Sequence, residues 1–121
     1  MNARTDLLKE RTMQFALRVA RFCKTLPATW ECGHVADQLF RSSTGQASNY
    51  FSSCRGRTHR EFRAKLGIAL EESDETLFWL TFISRSGMST DKELDYLLGE
   101  SRELIAIFTA SLRTAIANSR R

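Results

Sequence analysis

Glu31-Cys32-Gly33-His34 places a carboxylate and an imidazole three residues apart, the spacing with which one helix offers two ligands to a di-iron centre. Such a centre needs a second Glu-x-x-His pair and a further Glu from each remaining helix. The chain has two histidines, and the other, His59, has Gly56 where its glutamate would stand. The set is incomplete within one chain, so no metal ligand is assigned and His34 is read as a capping or packing residue. Cys23, Cys32 and Cys54 form no CxxC pair and match no zinc spacing; free, partly buried thiols are expected. No nucleophile elbow, phosphate loop or dinucleotide fingerprint appears. In "EESDE", Glu71 and Glu75 share a helical face while Glu72 lies about 100° round, which describes a solvated or salt-bridging face. No catalytic residue and no cofactor is expected. The chain reads as a non-enzyme.

Anion binding is the other chemistry on offer. Residues 55 to 65, "RGRTHREFRAK", hold Arg55, Arg57, Arg60, Arg63 and Lys65 against Glu61 alone, while Glu71, Glu72, Asp74 and Glu75 follow. Cations near a helix N-terminus oppose its dipole by about 0.3–1 kcal/mol each at exposed sites. Stability therefore does not favour this order. Phosphate would: helix N-termini present unpaired amides to it, and arginines add bidentate contacts. Arg4, Arg11 and Arg18 lie seven apart in the first segment and form a second basic stripe. The competing reading is solvated arginines, some paired with the acids of "EESDE" in the same or a neighbouring subunit. The net charge of +4 permits an anionic partner without demanding one. Aromatics do not alternate with these cations, so binding of RNA or DNA through this surface is expected to be salt-sensitive and weakly sequence-specific. Arg41 and Asn49, eight apart, point to similar sides of one helix. With Glu72 as the partner of a buried arginine, they are expected to form a structural polar network.

The elements that position these groups follow from apolar spacing. Leu8, Phe15, Val19, Phe22 and Leu26 mark a first helix ending at Pro27. Val35, Leu39, Phe40, Ser43, Ala47, Tyr50, Phe51 and Cys54 keep helical phase straight through "SSTGQAS". A loop would have no reason to hold that phase, so a second helix with a small-residue face is expected there. "THRE" and "TDKE" both have capping-box form, with Thr58 and Thr90 as N-caps of the third and fourth helices. Gly87 suits the stop between them. The expected fold is all-α: an antiparallel up-and-down four-helix bundle, one domain over residues 1–121. Phe78, Trp79 and Phe82 lie off the main seam of the third helix. Such width means either a deeply buried helix or a face covered by another chain; self-association through these residues is the reading taken. No apolar run approaches the roughly 20 residues that span a bilayer. The charged N-terminus does not resemble a signal peptide, so a cytosolic protein is expected.

The order "HVADQLFRSSTGQASNYF" then "RGRTHREFRAKLGIALEESDETLFWL" resembles the four-helix-bundle family encoded in intervening sequences of bacterial 23S ribosomal RNA genes. A related branch is the accessory variability determinant of diversity-generating retroelements. The resemblance spans residues 8 to 115 and is carried by Gln38, Leu39, Arg41, Ser42, Asn49 and Tyr50, then by Arg57, Glu61, Phe62, Lys65, Leu66, Ile68, Ala69, Leu70, Glu72, Thr76 and Trp79. Where the family usually has a small residue and a glutamate after Asn49 and Tyr50, this chain has Phe51 and Ser52. The resemblance implies a ring, commonly a homopentamer, without enzymatic activity. It also implies partners among nucleic acids or a nucleic-acid enzyme such as a reverse transcriptase. A protein-interaction scaffold without nucleic-acid binding is the alternative.

Overall fold

Burying one apolar face per helix requires partners on two sides, and four rods arranged in a square supply them. The computed structural model describes residues 3–119. They form α1 (Ala3–Cys23), α2 (Trp30–Cys54), α3 (His59–Ser86) and α4 (Lys92–Ser119). Each helix packs against the next, and α4 closes on α1, while the diagonal pairs stay apart. Short connections make every neighbouring pair antiparallel, and among the described residues there is no strand. The chain is an all-α four-helix bundle. Phe15, Leu39, Leu66 and Phe108, one from each helix, meet in its core and are at most 1% exposed.

The decisive stretch is residues 42–48, and α2 runs through it without a break. Its hydroxyls bond within their own helix: Ser42 Oγ to Leu39 O (3.2 Å), Ser43 Oγ to Phe40 O (3.1 Å) and Thr44 Oγ1 to Phe40 O (2.8 Å). The groups that make Ser and Thr poor helix formers are thereby satisfied without leaving the helix. Their small size also brings α3 close, so that Thr76 Oγ1 donates to Ser42 Oγ at 2.9 Å. At Gly45 an added Cβ would lie 2.8 Å from Glu72 Oε2. The glycine that argues for a turn instead makes room for a carboxylate crossing from α3.

Three boundaries differ in detail from the sequence expectation. α1 stops at Cys23 rather than continuing to Pro27. Lys24, Thr25 and Leu26 donate to carbonyls three residues back, the tightened last turn that a following proline imposes. Thr58 does cap α3, accepting from Glu61 N at 3.0 Å, but Glu61 reaches back to Arg57 N at 2.7 Å rather than to Thr58. At α4 the cap is Asp91, not Thr90: Asp91 Oδ1 accepts from Glu93 N at 2.9 Å, and Ser89 Oγ accepts from Asp91 N at 3.1 Å. Two consecutive residues of capping type compete there, and the one whose own N–H is satisfied by Ser89 prevails. Gly87 ends α3 with φ 76°, the left-handed conformation that glycine adopts without steric cost.

A polar layer crosses the middle of this apolar core. Thr12, Gln46, Ser73 and Ser101, one per helix, are all fully buried. Thr12 and Ser73 bond to carbonyls of their own helices. The Gln46 amide and the Ser101 hydroxyl find no partner among the described residues. Burying a polar group without a hydrogen bond costs about 1–3 kcal/mol. Replacing Gln46 by Met, similar in length and free of polar ends, is therefore expected to raise stability by about 1–3 kcal/mol. The denaturation midpoint at unchanged m-value checks this, and a fall in midpoint would show that the amide has a stabilising role.

Candidate nucleic-acid interface

The basic segment occupies the turn between α2 and α3 and the first turns of α3. Arg55 caps α2, its N–H donating to the carbonyls of Ser52 and Ser53. Its charge there complements the C-terminal end of the α2 dipole, so one of the five cations has an ordinary local reason. Gly56 folds the chain back, with Gly56 N bonded to Ser53 O at 3.1 Å. A Cβ at Gly56 would stand 3.0 Å from Phe62 N, so only glycine lets the turn lie this close to α3. The Thr58 and Glu61 caps then fix the backbone on which Arg57 and Arg60 stand.

Arg55, Arg57, Arg60 and Lys65 are exposed, and among the described residues none of them takes part in an ion pair. Arg63 differs: it is half-buried, with Nε enclosed and lacking a partner. The acids of "EESDE" do not reach back to this cluster within the chain. Glu72 and Glu75 instead hold Arg41.

The second basic stripe is a different matter. Arg11 grips Glu100 with two 2.7 Å bonds and also bonds Glu103. Arg18 grips Glu93 with bonds of 2.8 and 2.6 Å, and its guanidinium lies 3.5 Å from the Tyr96 ring centroid. The expectation that Arg11 and Arg18 offer free charge to nucleic acid is corrected: they are forked onto α4 carboxylates, and they tie α1 to α4. The signal lay in the sequence. Arg11 and Arg18 are seven apart, as are Glu93 and Glu100, the match that two antiparallel helices require.

The expected polar network is also redrawn. Arg41 is exposed rather than buried, with Glu72 Oε2 at 3.5 Å and Glu75 as its closer partner. Asn49 stands apart, donating Nδ2–H to Gly45 O at 2.8 Å on its own helix. An exposed arginine needs no buried counter-ion, and the asparagine finds its acceptor one turn back. Cys23, Cys32 and Cys54 are free thiols. Burial, aided by Asp37, pushes the Cys23 thiol up to about 11, so it is protonated and inert at neutral pH.

Phe78, Trp79 and Phe82 form a mutual cluster with centroid separations of 4.9, 6.5 and 6.0 Å. His34 packs edge-on to Trp79 at 5.8 Å. Phe78 is 57% and Phe82 41% exposed, and Trp30, one turn before His34, is 84% exposed. His34, Phe78, Trp79 and Phe82 make one aromatic patch, about 19 residues or roughly 30 Å along α3 from the basic turn. Among the described residues no three His, Cys, Asp or Glu side chains gather as a metal site, and no helix is long and apolar enough to cross a membrane.

A four-helix bundle with a basic turn at one end and an aromatic flank at the other defines a class of helical surface proteins rather than a chemistry. The family model for the 23S rRNA-intervening sequence protein matches residues 7–110, and the chain belongs to that family. The bundle is also similar to a crystal structure from Bacteroides thetaiotaomicron, described as a protein with unknown function from the S23 ribosomal protein family. The TM-score is 0.82 at 24% identity, covering 90% of this chain and 97% of that one. Comparison with curated proteins finds no match. Neither description indicates an enzymatic family.

The α1–α4 clasp makes a pH prediction. The hydrogen bond from Arg18 holds the Glu93 carboxyl below its ordinary value, and that from Arg41 does the same for Glu75. A carboxyl depressed in the folded state contributes stability above its unfolded value, and that contribution is lost as pH falls through the folded one. Stability is therefore expected to decline from about pH 4.5 downward. Glu93→Gln should flatten that decline while costing less than about 1 kcal/mol at neutral pH, since the pair is partly exposed. Denaturation midpoints for both proteins between neutral and acid pH provide the check.

Proposed function

We propose that this protein is a cytosolic, non-enzymatic, self-associating bundle that binds RNA or DNA through backbone phosphates at the α2–α3 turn. One observation carries the reading. The clustered Arg55, Arg57, Arg60 and Lys65 side chains make no ion pair among the described residues, whereas those of Arg11, Arg18 and Arg41 all do. Arg57 and Arg60 stand against the α3 dipole, an arrangement that an incoming phosphate would relieve. Self-association rests on the exposed Phe78 and Phe82 with the half-buried Trp79 between them, the family resemblance favouring a homopentamer. A ring repeats each basic turn and multiplies phosphate contacts on one strand. A nucleic-acid enzyme such as a reverse transcriptase is the protein partner this reading would admit.

The aromatic flank also supports a second reading, a protein-interaction scaffold that binds no nucleic acid. Salt separates the two. Phosphate contact predicts affinity falling by orders of magnitude between about 50 and 200 mM salt, and a scaffold predicts no nucleic-acid binding at either. Reversing Arg55, Arg57 and Arg60 to Glu should abolish binding and preserve helicity by circular dichroism. Arg63 is left intact because reversal would place a carboxylate against its enclosed Nε position. Unchanged affinity would reject the turn as the binding surface.

Association is tested separately. Phe78→Asp with Phe82→Asp is expected to give monomers by light scattering, with the thermal midpoint of the isolated bundle little changed because both side chains are exposed. An assembly of unaltered mass would place the contact elsewhere.

A further inference from the structure

Beside the basic turn the bundle is open. A cleft of about 900 Å³ lies where the beginning of α1, the end of α2, the beginning of α3 and the later part of α4 come together. Its size is at the upper end of pockets that hold organic ligands, about 300–1,000 Å³.

The lining divides into two parts. Leu7, Leu8, Tyr50, Phe62 and Ile107 make it apolar. Tyr50 is buried, its ring against Phe108 with centroids 5.5 Å apart, and it contributes wall rather than a movable contact. His59 and Phe62 present rings 6.1 Å apart and tilted by 30° to each other. The His59 ring is fixed by Nε2 lying 2.8 Å from Ala115 O. Leu7 is 71% exposed at this site, a large apolar side chain left uncovered.

Charge supplies the other part. Arg4, Arg11, Arg57 and His59 line the cleft, and among the described residues no Asp or Glu does, although the chain has 14 acidic residues. Arg11 is committed to Glu100 and Glu103. Arg4 and Arg57 are exposed and enter no ion pair among the described residues. The Glu61 carboxylate is nearby but is held by Arg57 N.

An apolar slot flanked by two uncommitted guanidinium groups suits a ligand that is flat and greasy at one end and anionic at the other. An unpaired nucleotide has that form. A duplex turns its bases inward and offers only phosphates. We infer that the cleft receives one unpaired base of a single strand, packed against Phe62 and His59, with its phosphates on Arg4 and Arg57. This rests on the nucleic-acid reading above and deepens it: Arg55, Arg60 and Lys65 track the backbone while the cleft selects single strand over duplex. Stacking of one base on an aromatic side chain is worth roughly 1–3 kcal/mol, enough to set that preference.

Calorimetric titration of the full chain tests the inference. The probes are a single strand of about 12 nucleotides, as RNA and as DNA, and a duplex of the same sequence closed at both ends by non-nucleotide linkers. The single strand should bind about tenfold more tightly than the duplex. Ser111→Phe, which fills the cleft from α4 without changing charge, should reduce single-strand affinity to the duplex level and leave the duplex unaffected. Arg4→Glu, at an exposed position that spares the fold, should likewise weaken single strand more than duplex. Equal affinities in the unaltered protein, or a preference surviving Arg4→Glu, would overturn the cleft while leaving the phosphate surface standing. Failure of both probes to bind would overturn both readings.

Discussion

The bundle depends on how closely α2 can lie against α3. Ser42 and Gly45 occupy the α2 face at that contact, and Thr76 and Glu72 fill the space they leave. Larger side chains would push the helices apart and uncover the core behind them. The arrangement has a cost in helix propensity, with a mid-helix glycine worth about 1 kcal/mol against alanine. That loss is offset by burial along two long helices. The same approach places Glu72 and Glu75 beside Arg41, so these two acids of α3 are engaged in mid-bundle and do not neutralise the arginines at its N-terminus.

Electrostatics thus divides the surface unevenly. Where α1 meets α4, arginines and glutamates pair in register, while Arg55, Arg57 and Arg60 at the α2–α3 turn make no ion pair among the described residues. Opposite charges that settle each other explain a structure; charges that do not call for a partner outside it. The family assignment is consistent with either reading of the protein as a binder, since its description names the origin of the sequence and no activity.

Helix number and order were legible because burial of one face leaves a mark every three or four residues. That mark persists through residues 42–48 even where composition argues for a turn. Gly87 was legible for a different reason, since a left-handed stop has a strong residue preference. Local pattern did not decide between Thr90 and Asp91, because both are capping types and the choice turns on Ser89. Nor did it separate Arg11 and Arg18 from the basic turn: their partners are on α4, close in space but distant along the chain. The cleft was invisible for the same reason. Tyr50 and Phe62 each read as ordinary helical residues, and only the convergence of four helices makes them a surface.

Both tryptophans of the chain, Trp30 and Trp79, sit at the aromatic end, where α2 begins and α3 approaches its close. Intrinsic emission therefore reports on one end of the molecule. A copy seated on that flank would shift the emission of both indoles, whereas a strand held roughly 30 Å away would leave their colour unchanged. The two indoles would thus report association at that flank and stay silent to a strand held at the turn.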